Sequence, residues 1–347
     1  MSADRTPRKN RLQAAREEYE ARAAAGAPVA GHRAAAGASA AAGARSAYVA
    51  RARRPLIDLV DGSFHRAGFR FPTDIIQREF ERYLSGPGYR PVAAGLLSAR
   101  EAIAAYYGRG AAIGPEDIVL TASSSESYRL LFDQLCEVGD SVLLPCPGYP
   151  LFEQLAEYSR VRPEFYYLQP ENGWLPDPAA LEALMAALPR ARALVLISPN
   201  NPSGAVIDAG RMAAIREVAG RHDVVVILDE VFREFVYEAP RQAATADAGQ
   251  AREPASPARD TPSTAGAMLV RINGISKMFA CPDMKIGWMA VEEGSPGQLS
   301  RKELLQALEL AADVYLSASG PAQHLVPALF AEGMEFVAEM RAELGRR

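Results

Sequence analysis

The chain has 347 residues, of which 49% are hydrophobic and 23% charged, and its formal net charge is −4. This suits two domains, or one large α/β domain with an appendage, and the faintly acidic balance leaves no footprint for nucleic acid or a polybasic membrane contact. No apolar run approaches the roughly 20 residues of a membrane helix. The first residues lack an apolar signal core, and the three cysteines (Cys136, Cys146, Cys281) lack metal or disulfide spacing, so a soluble, cytoplasmic protein is expected. Four scattered histidines argue against a metal site.

Residues 9–25, KNRLQAAREEYEARAAA, predict a helical arm, and an N-terminal segment is expected over 1–28. Residues 29–54 are rich in Ala, Gly and Arg, with too little large apolar content to fold alone, and predict a flexible insertion. A large domain is expected over 55–300, interrupted by a second low-complexity loop at 239–266. Within it, SAREAIAAYY (98–107) has helical spacing. Strands then alternate with helices: IVLTA (118–122), a helix at 125–136, SVLLP (141–145), a helix from Tyr149, EFYYL (164–168), and a helix at 178–188. ALVLIS (193–198), a helix at 209–220, VVVILDE (224–230) and AMLVRI (267–272) complete the series. Short strands that are apolar throughout are covered on both faces. The alternation predicts an α/β fold, a three-layer αβα sandwich around a mostly parallel sheet with right-handed crossovers. Ligands in such sheets sit at the carboxyl ends of the strands.

The unusual polar residues fall at those ends. Ser123-Ser124-Ser125 follows IVLTA, Tyr149 follows SVLLP, and the turn SPNNPSG (198–204) follows ALVLI. VVVIL runs into Asp229-Glu230, and Asn273-Gly274-Ile275-Ser276-Lys277 follows AMLVRI. Each has a plain alternative: helix caps for the serines, a tight turn for SPNNPSG, a salt bridge for Asp229, a surface loop for Lys277. Only four lysines occur, Lys9, Lys277, Lys285 and Lys302, and two of them lie within GISKMFACPDMKIGW (274–288). A helix N-terminus for an anion, an aromatic ring, an amide, a costly buried carboxylate and an isolated amine would together suit a phosphorylated, electron-accepting aromatic aldehyde. The amine would hold it as a Schiff base, and the carboxylate would keep its ring nitrogen protonated.

Over residues 56–330 the chain resembles the class I/II aminotransferases, pyridoxal-phosphate enzymes of fold type I. The resemblance is carried by GYRPVAAGLLSAREAIAAYY, SPNNPSG, LDEVF and SKMFACPDMKIGW, in the family's order. It implies that Lys277 forms the Schiff base and later acts as base. Asp229 would pair with the pyridine nitrogen, Asn201 with the phenolic oxygen, and Tyr149 would stack on the ring. Ser123, Ser124 and Ser276 would hold the phosphate. Lys285 would stand where the family usually has an arginine on that phosphate, keeping the charge but losing the bidentate fork. Tyr89 would reach the phosphate of a neighbouring subunit, implying a homodimer. The implied activity is transfer of an amino group between an amino acid and a 2-oxo acid.

Phe232 departs from the pattern, replacing a tyrosine that donates to the phenolic oxygen. LVDGSFHRAGFRFP (59–72) falls where related enzymes have a substrate-touching loop. Residues 301–347 are expected to begin a small α+β domain that is incomplete at the C-terminus, because the family's carboxylate-binding arginine has no match there. Tyr315 and Ser317 are further candidates to approach the site. Two alternatives share the fold: a lyase or cyclase of the carbon–sulfur lyase or aminocyclopropane-carboxylate synthase type, and a truncated, non-catalytic cofactor-binding homologue.

Overall fold

The computed structural model of the chain describes residues 62–86, 88–108, 113–237, 266–295 and 299–347. The segments expected at 1–28 and 29–54, and all of the 239–266 loop except Gly266, lie outside the described residues.

Two helices, α1 (Thr73–Leu84) and α2 (Leu97–Tyr107), precede the alternation. It runs through β1 (Ile118–Thr121), α3 (Ser124–Leu135), β2 (Ser141–Cys146), α4 (Phe152–Tyr158), β3 (Arg162–Tyr167) and α5 (Pro178–Ala187). It continues with β4 (Ala191–Ile197), α6 (Ala209–Arg221), β5 (Val225–Asp229) and β6 (Leu269–Gly274). One helical turn, α7 (Ile275–Met278), leads into β7 (Gly287–Glu292), and α8 (Arg301–Tyr315), α9 (Gly320–Glu332) and α10 (Met334–Arg346) follow. Every strand and helix expected within the described residues is present. The helix expected from Tyr149 starts at Phe152, because Pro150 disfavours helical backbone at the Tyr149 that precedes it.

Helix starts are set by local chemistry. Ser123, Asp177 and Asp208 accept backbone N–H bonds at the heads of α3, α5 and α6. Ser300 and Glu303 form a reciprocal capping box on α8.

The seven strands form one sheet in the order β1-β7-β6-β5-β4-β2-β3. All run parallel except β7, which is antiparallel to both neighbours. Alternate strand residues bury into opposite layers. Val119, Val195, Ile227, Ile272 and Met289 pack with α3, α4 and α8. Leu194, Leu196, Val226 and Leu269 pack with α5 and α6, while Ile118, Leu120, Trp288 and Ala290 pack with α1, α2 and α9. This is the three-layer αβα arrangement. The expected boundary at 300 falls inside the compact unit Ser63–Arg347, in which α8 packs on α3 and α9 packs on α1 and α2. Among the described residues, no helix is long and apolar enough to cross a membrane.

Candidate active site

The parallel strands deliver their carboxyl ends to one edge of the sheet. Because β7 runs the other way, its amino end arrives at that same edge. Ile197, Asp229 and Ile272 stand level across β4, β5 and β6. Thr121, Gly287 and Gly274 stand level across β1, β7 and β6. A cavity of about 180 Å³ opens there, lined by Ser123, Ser124, Tyr149, Asn201, Asp229, Phe232, Ser276, Lys277 and Lys285, with Ile197, Val231, Gly274 and Ile286 between them. Of the residues singled out in the sequence, Tyr89, Tyr315 and Ser317 do not line it. Tyr89 is 75% exposed and borders a separate cavity of about 300 Å³ with Arg90, Ser317 and His324. Tyr315 is exposed and does not line the first cavity.

One wall is the head of α3. The Ser123 hydroxyl accepts from the Glu126 N–H at 3.1 Å, and the Glu126 carboxylate accepts from the Ala122 N–H. The N–H groups of Ser124 and Ser125 have no acceptor among the described residues. These orphan donors and the helix dipole favour an anion. Close approach of this wall to β7 requires glycine at 287. A Cβ there would lie 2.9 Å from the Ser123 carbonyl carbon and 3.0 Å from the Ser124 nitrogen.

Asp229 forms the floor. It shares the sheet face of Ile227, and its carboxylate is buried. The Val231 N–H donates to Oδ1 at 3.0 Å, and the Tyr128 hydroxyl donates to Oδ2 at 2.8 Å. Burial pushes the Asp229 carboxyl up to about 6, and these two donors hold it below where burial alone would take it. Tyr128 was not foreseen as a site residue. The available signal was its position four residues after Ser124, on the same helical face. The next residue, Glu230, faces the opposite layer, where Arg271 bonds it at 2.6 Å and Arg233 at 3.1 Å. Those cations are therefore committed away from the cavity.

Tyr149 is half-exposed at the rim and meets Phe152 edge-on at 5.6 Å, and Phe152 in turn meets Tyr128 at 5.0 Å. The two asparagines of SPNNPSG divide their work. Asn200 is buried and donates to the Ser203 hydroxyl at 2.8 Å, which builds the turn, while Asn201 lines the cavity. Lys277, half-buried on α7, places its Nζ 5.9 Å from the centre of the Phe64 ring. Phe64 stacks on Phe235 at 6.2 Å, and Phe235 meets Phe232 at 6.5 Å, so one flank of the amine is aromatic. Lys285 is exposed and holds a left-handed φ of 52°, a conformation few non-glycine residues adopt. Among the described residues, neither lysine has a carboxylate partner, and none has a cluster of three or more groups suited to a metal ion.

An amine, a buried carboxylate and a helix end that favours an anion thus meet around one sheet-edge cavity. The model of the family described as aminotransferase class I and II matches residues 86–347, and the chain belongs to that family. It is 28% identical over 261 residues to the glutamate-pyruvate aminotransferase of Escherichia coli strain K12, a match covering 75% of this chain and 59% of that protein. It is 30% identical over 252 residues to the S-alkyl-thiohydroximate lyase of Arabidopsis thaliana, covering 70% of this chain and 48% of that one. The chain thus spans less than two thirds of these curated relatives. In fold it matches the solved alanine aminotransferase from Pyrococcus furiosus with a TM-score of 0.68 at 24% identity, over 81% of this chain and 67% of that one.

Proposed function

We propose that the chain is a pyridoxal-phosphate-dependent aminotransferase, moving an amino group between an amino acid and a 2-oxo acid. The carrying observation is that Lys277, Asp229 and the head of α3 line one cavity. The donor set fits the cofactor. The Ser124 and Ser125 amides, the Ser123 and Ser276 hydroxyls and the Lys285 cation suit its phosphate. Asp229 suits its ring nitrogen, Asn201 its phenolic oxygen and Tyr149 its ring face. With Phe232 in place of a hydroxyl donor, the phenolic oxygen would have one partner fewer.

Bound pyridoxal phosphate supplies an electron-withdrawing ring that makes the substrate's α-hydrogen acidic. The Lys277 Nζ would hold the cofactor covalently and would serve as the base that takes the proton from the substrate α-carbon and hands it on. The Asp229 carboxylate would hold the proton on the ring nitrogen, and the Phe64 ring would shield the amine from water. We further propose a cytoplasmic homodimer in which exposed Tyr89 serves the neighbouring subunit's site, and a small domain beginning near residue 301.

The test is an absorption spectrum of the purified chain with added pyridoxal phosphate, before and after borohydride, compared with Lys277→Ala. A cofactor band fixed irreversibly only when Lys277 is present supports the reading, and its absence overturns it. Amino acids that discharge the band, with recovery on adding a 2-oxo acid, identify transamination. The Arabidopsis lyase relative favours a second reading, elimination, which would release ammonia or a thiol with no oxo acid present. A fixed band with no turnover of any amino acid would leave a cofactor-binding homologue.

A further inference from the structure

Tyr128 is buried at 2% exposure between α3 and the sheet, packed against Phe132 at 5.9 Å and Phe152 at 5.0 Å. Phenylalanine would satisfy that packing equally well, so the ring alone does not account for a tyrosine. A buried hydroxyl without a partner is costly. Tyr166, also buried, resolves this cost within the scaffold by donating to the Val195 carbonyl at 2.8 Å. Tyr128 instead donates to a carboxylate that lines the cavity.

We propose that Tyr128 is a positioning residue for the reaction: its O–H fixes the plane and the ionisation of Asp229 so that the carboxylate presents a charged edge to the cavity. The proposal rests on the functional reading above. Each Asp229 oxygen accepts one protein donor, Oδ1 from Val231 and Oδ2 from Tyr128. These bonds set the rotation of the carboxylate about its Cβ–Cγ bond and leave the remaining lone pairs for a ring N–H. A bond to the charged form also opposes the effect of burial, which favours the neutral acid.

The other titratable or charged groups around Asp229 are few. Tyr149 comes from the loop after β2, and burial, then Asp229, raises its hydroxyl. Glu230 follows directly after β5 and raises Asp229 in turn, with its charge held by Arg271 of β6 and by Arg233. Lys277 and Lys285 line the cavity. Tyr128 is the side chain among them that bonds the carboxylate directly.

The experiment titrates Asp229 in the chain without cofactor, by 13C-carboxyl NMR of aspartate-labelled protein, with Asp229→Asn identifying the resonance. In Tyr128→Phe the midpoint should rise by about one pH unit, the shift that loss of one hydrogen bond to a charged group corresponds to. The low-pH limb of pyridoxal phosphate binding, followed by tryptophan fluorescence, should move up by the same amount. If Tyr128→Phe fails to fold, protein carrying 3-fluorotyrosine, a stronger donor, should lower the midpoint instead. An unchanged Asp229 midpoint overturns the proposal. Failure of the unmodified chain to bind pyridoxal phosphate at any pH overturns the functional reading, while the Asp229 titration still decides the role of Tyr128.

Discussion

The Nζ of Lys277 lies 5.9 Å from the centre of the Phe64 ring, although the two residues are far apart in sequence. A cation over an aromatic face gains about 0.5–1 kcal/mol at an exposed site, so the ring's larger effect is to screen the amine. In Phe64→Ala, reductive methylation of Lys277 should speed up several-fold by mass spectrometry. The melting temperature should move little, because Phe64 is only half-buried. Equal methylation rates would mean that the ring does not shield the amine.

Lys285 contributes charge at a backbone position that favours glycine. Lys285→Gly therefore removes the ammonium without adding strain at φ 52°. A charge-assisted bond to an anion is worth about 1.5–3 kcal/mol, so affinity for pyridoxal phosphate should fall about tenfold or more. Affinity for pyridoxal, which has no phosphate, should barely change. Parallel losses for both ligands would assign Lys285 no phosphate role.

The contact between β7 and the head of α3 leaves no room for a methyl group. In Gly287→Ala, the Cβ would press on Ser123 and Ser124 backbone atoms at 2.9 and 3.0 Å, which cannot rotate aside. Overpacking of this kind costs about 1–3 kcal/mol, so a urea midpoint should fall accordingly. Phosphate-bearing ligands should weaken with it, since the wall that moves carries the Ser124 amide. A variant as stable as the parent would show that the two segments can separate freely.

Burial raises the Asp229 carboxyl to about 6 from an ordinary value of 3.8. The folded chain therefore holds this proton more tightly than the unfolded chain does. The contribution to stability is full below about pH 4 and is lost as pH rises through about 6. The resulting penalty at neutral pH is about 3 kcal/mol by that linkage, and Asp229→Asn removes it. In the cofactor-free chain, Asp229→Asn should thus gain stability on its parent between about pH 4 and pH 7.5, by denaturant unfolding. A constant difference across that range would contradict the raised value.

The positions of Asp229, Asn201, Lys277 and the serines were legible because each follows an apolar run that reads plainly as a strand, and parallel strands share an edge. Lys285 was legible through its rarity in a chain that otherwise uses arginine. Tyr128 was not, because a tyrosine at a buried helical position looks like core until its hydroxyl is traced to Asp229. Phe64 was foreseen as part of a substrate-side loop, but its approach to Lys277 depends on the tertiary path of that loop. The strand order, and the reversal of β7, follow from which helices cover which face, which local periodicity does not encode.

The reversal of β7 has a mechanical consequence. Gly274 and Gly287 are opposite one another on adjacent strands, so the chain between them leaves the sheet and returns to the place it left. Both cavity lysines ride on that closed excursion, as two points of a clasp hinged at a pair of glycines. Lengthening or shortening the clasp would change the spacing between amine and cation while the seven-stranded frame stayed whole. The distance between the two lysines is therefore a property of one short loop, adjustable apart from the architecture that carries it.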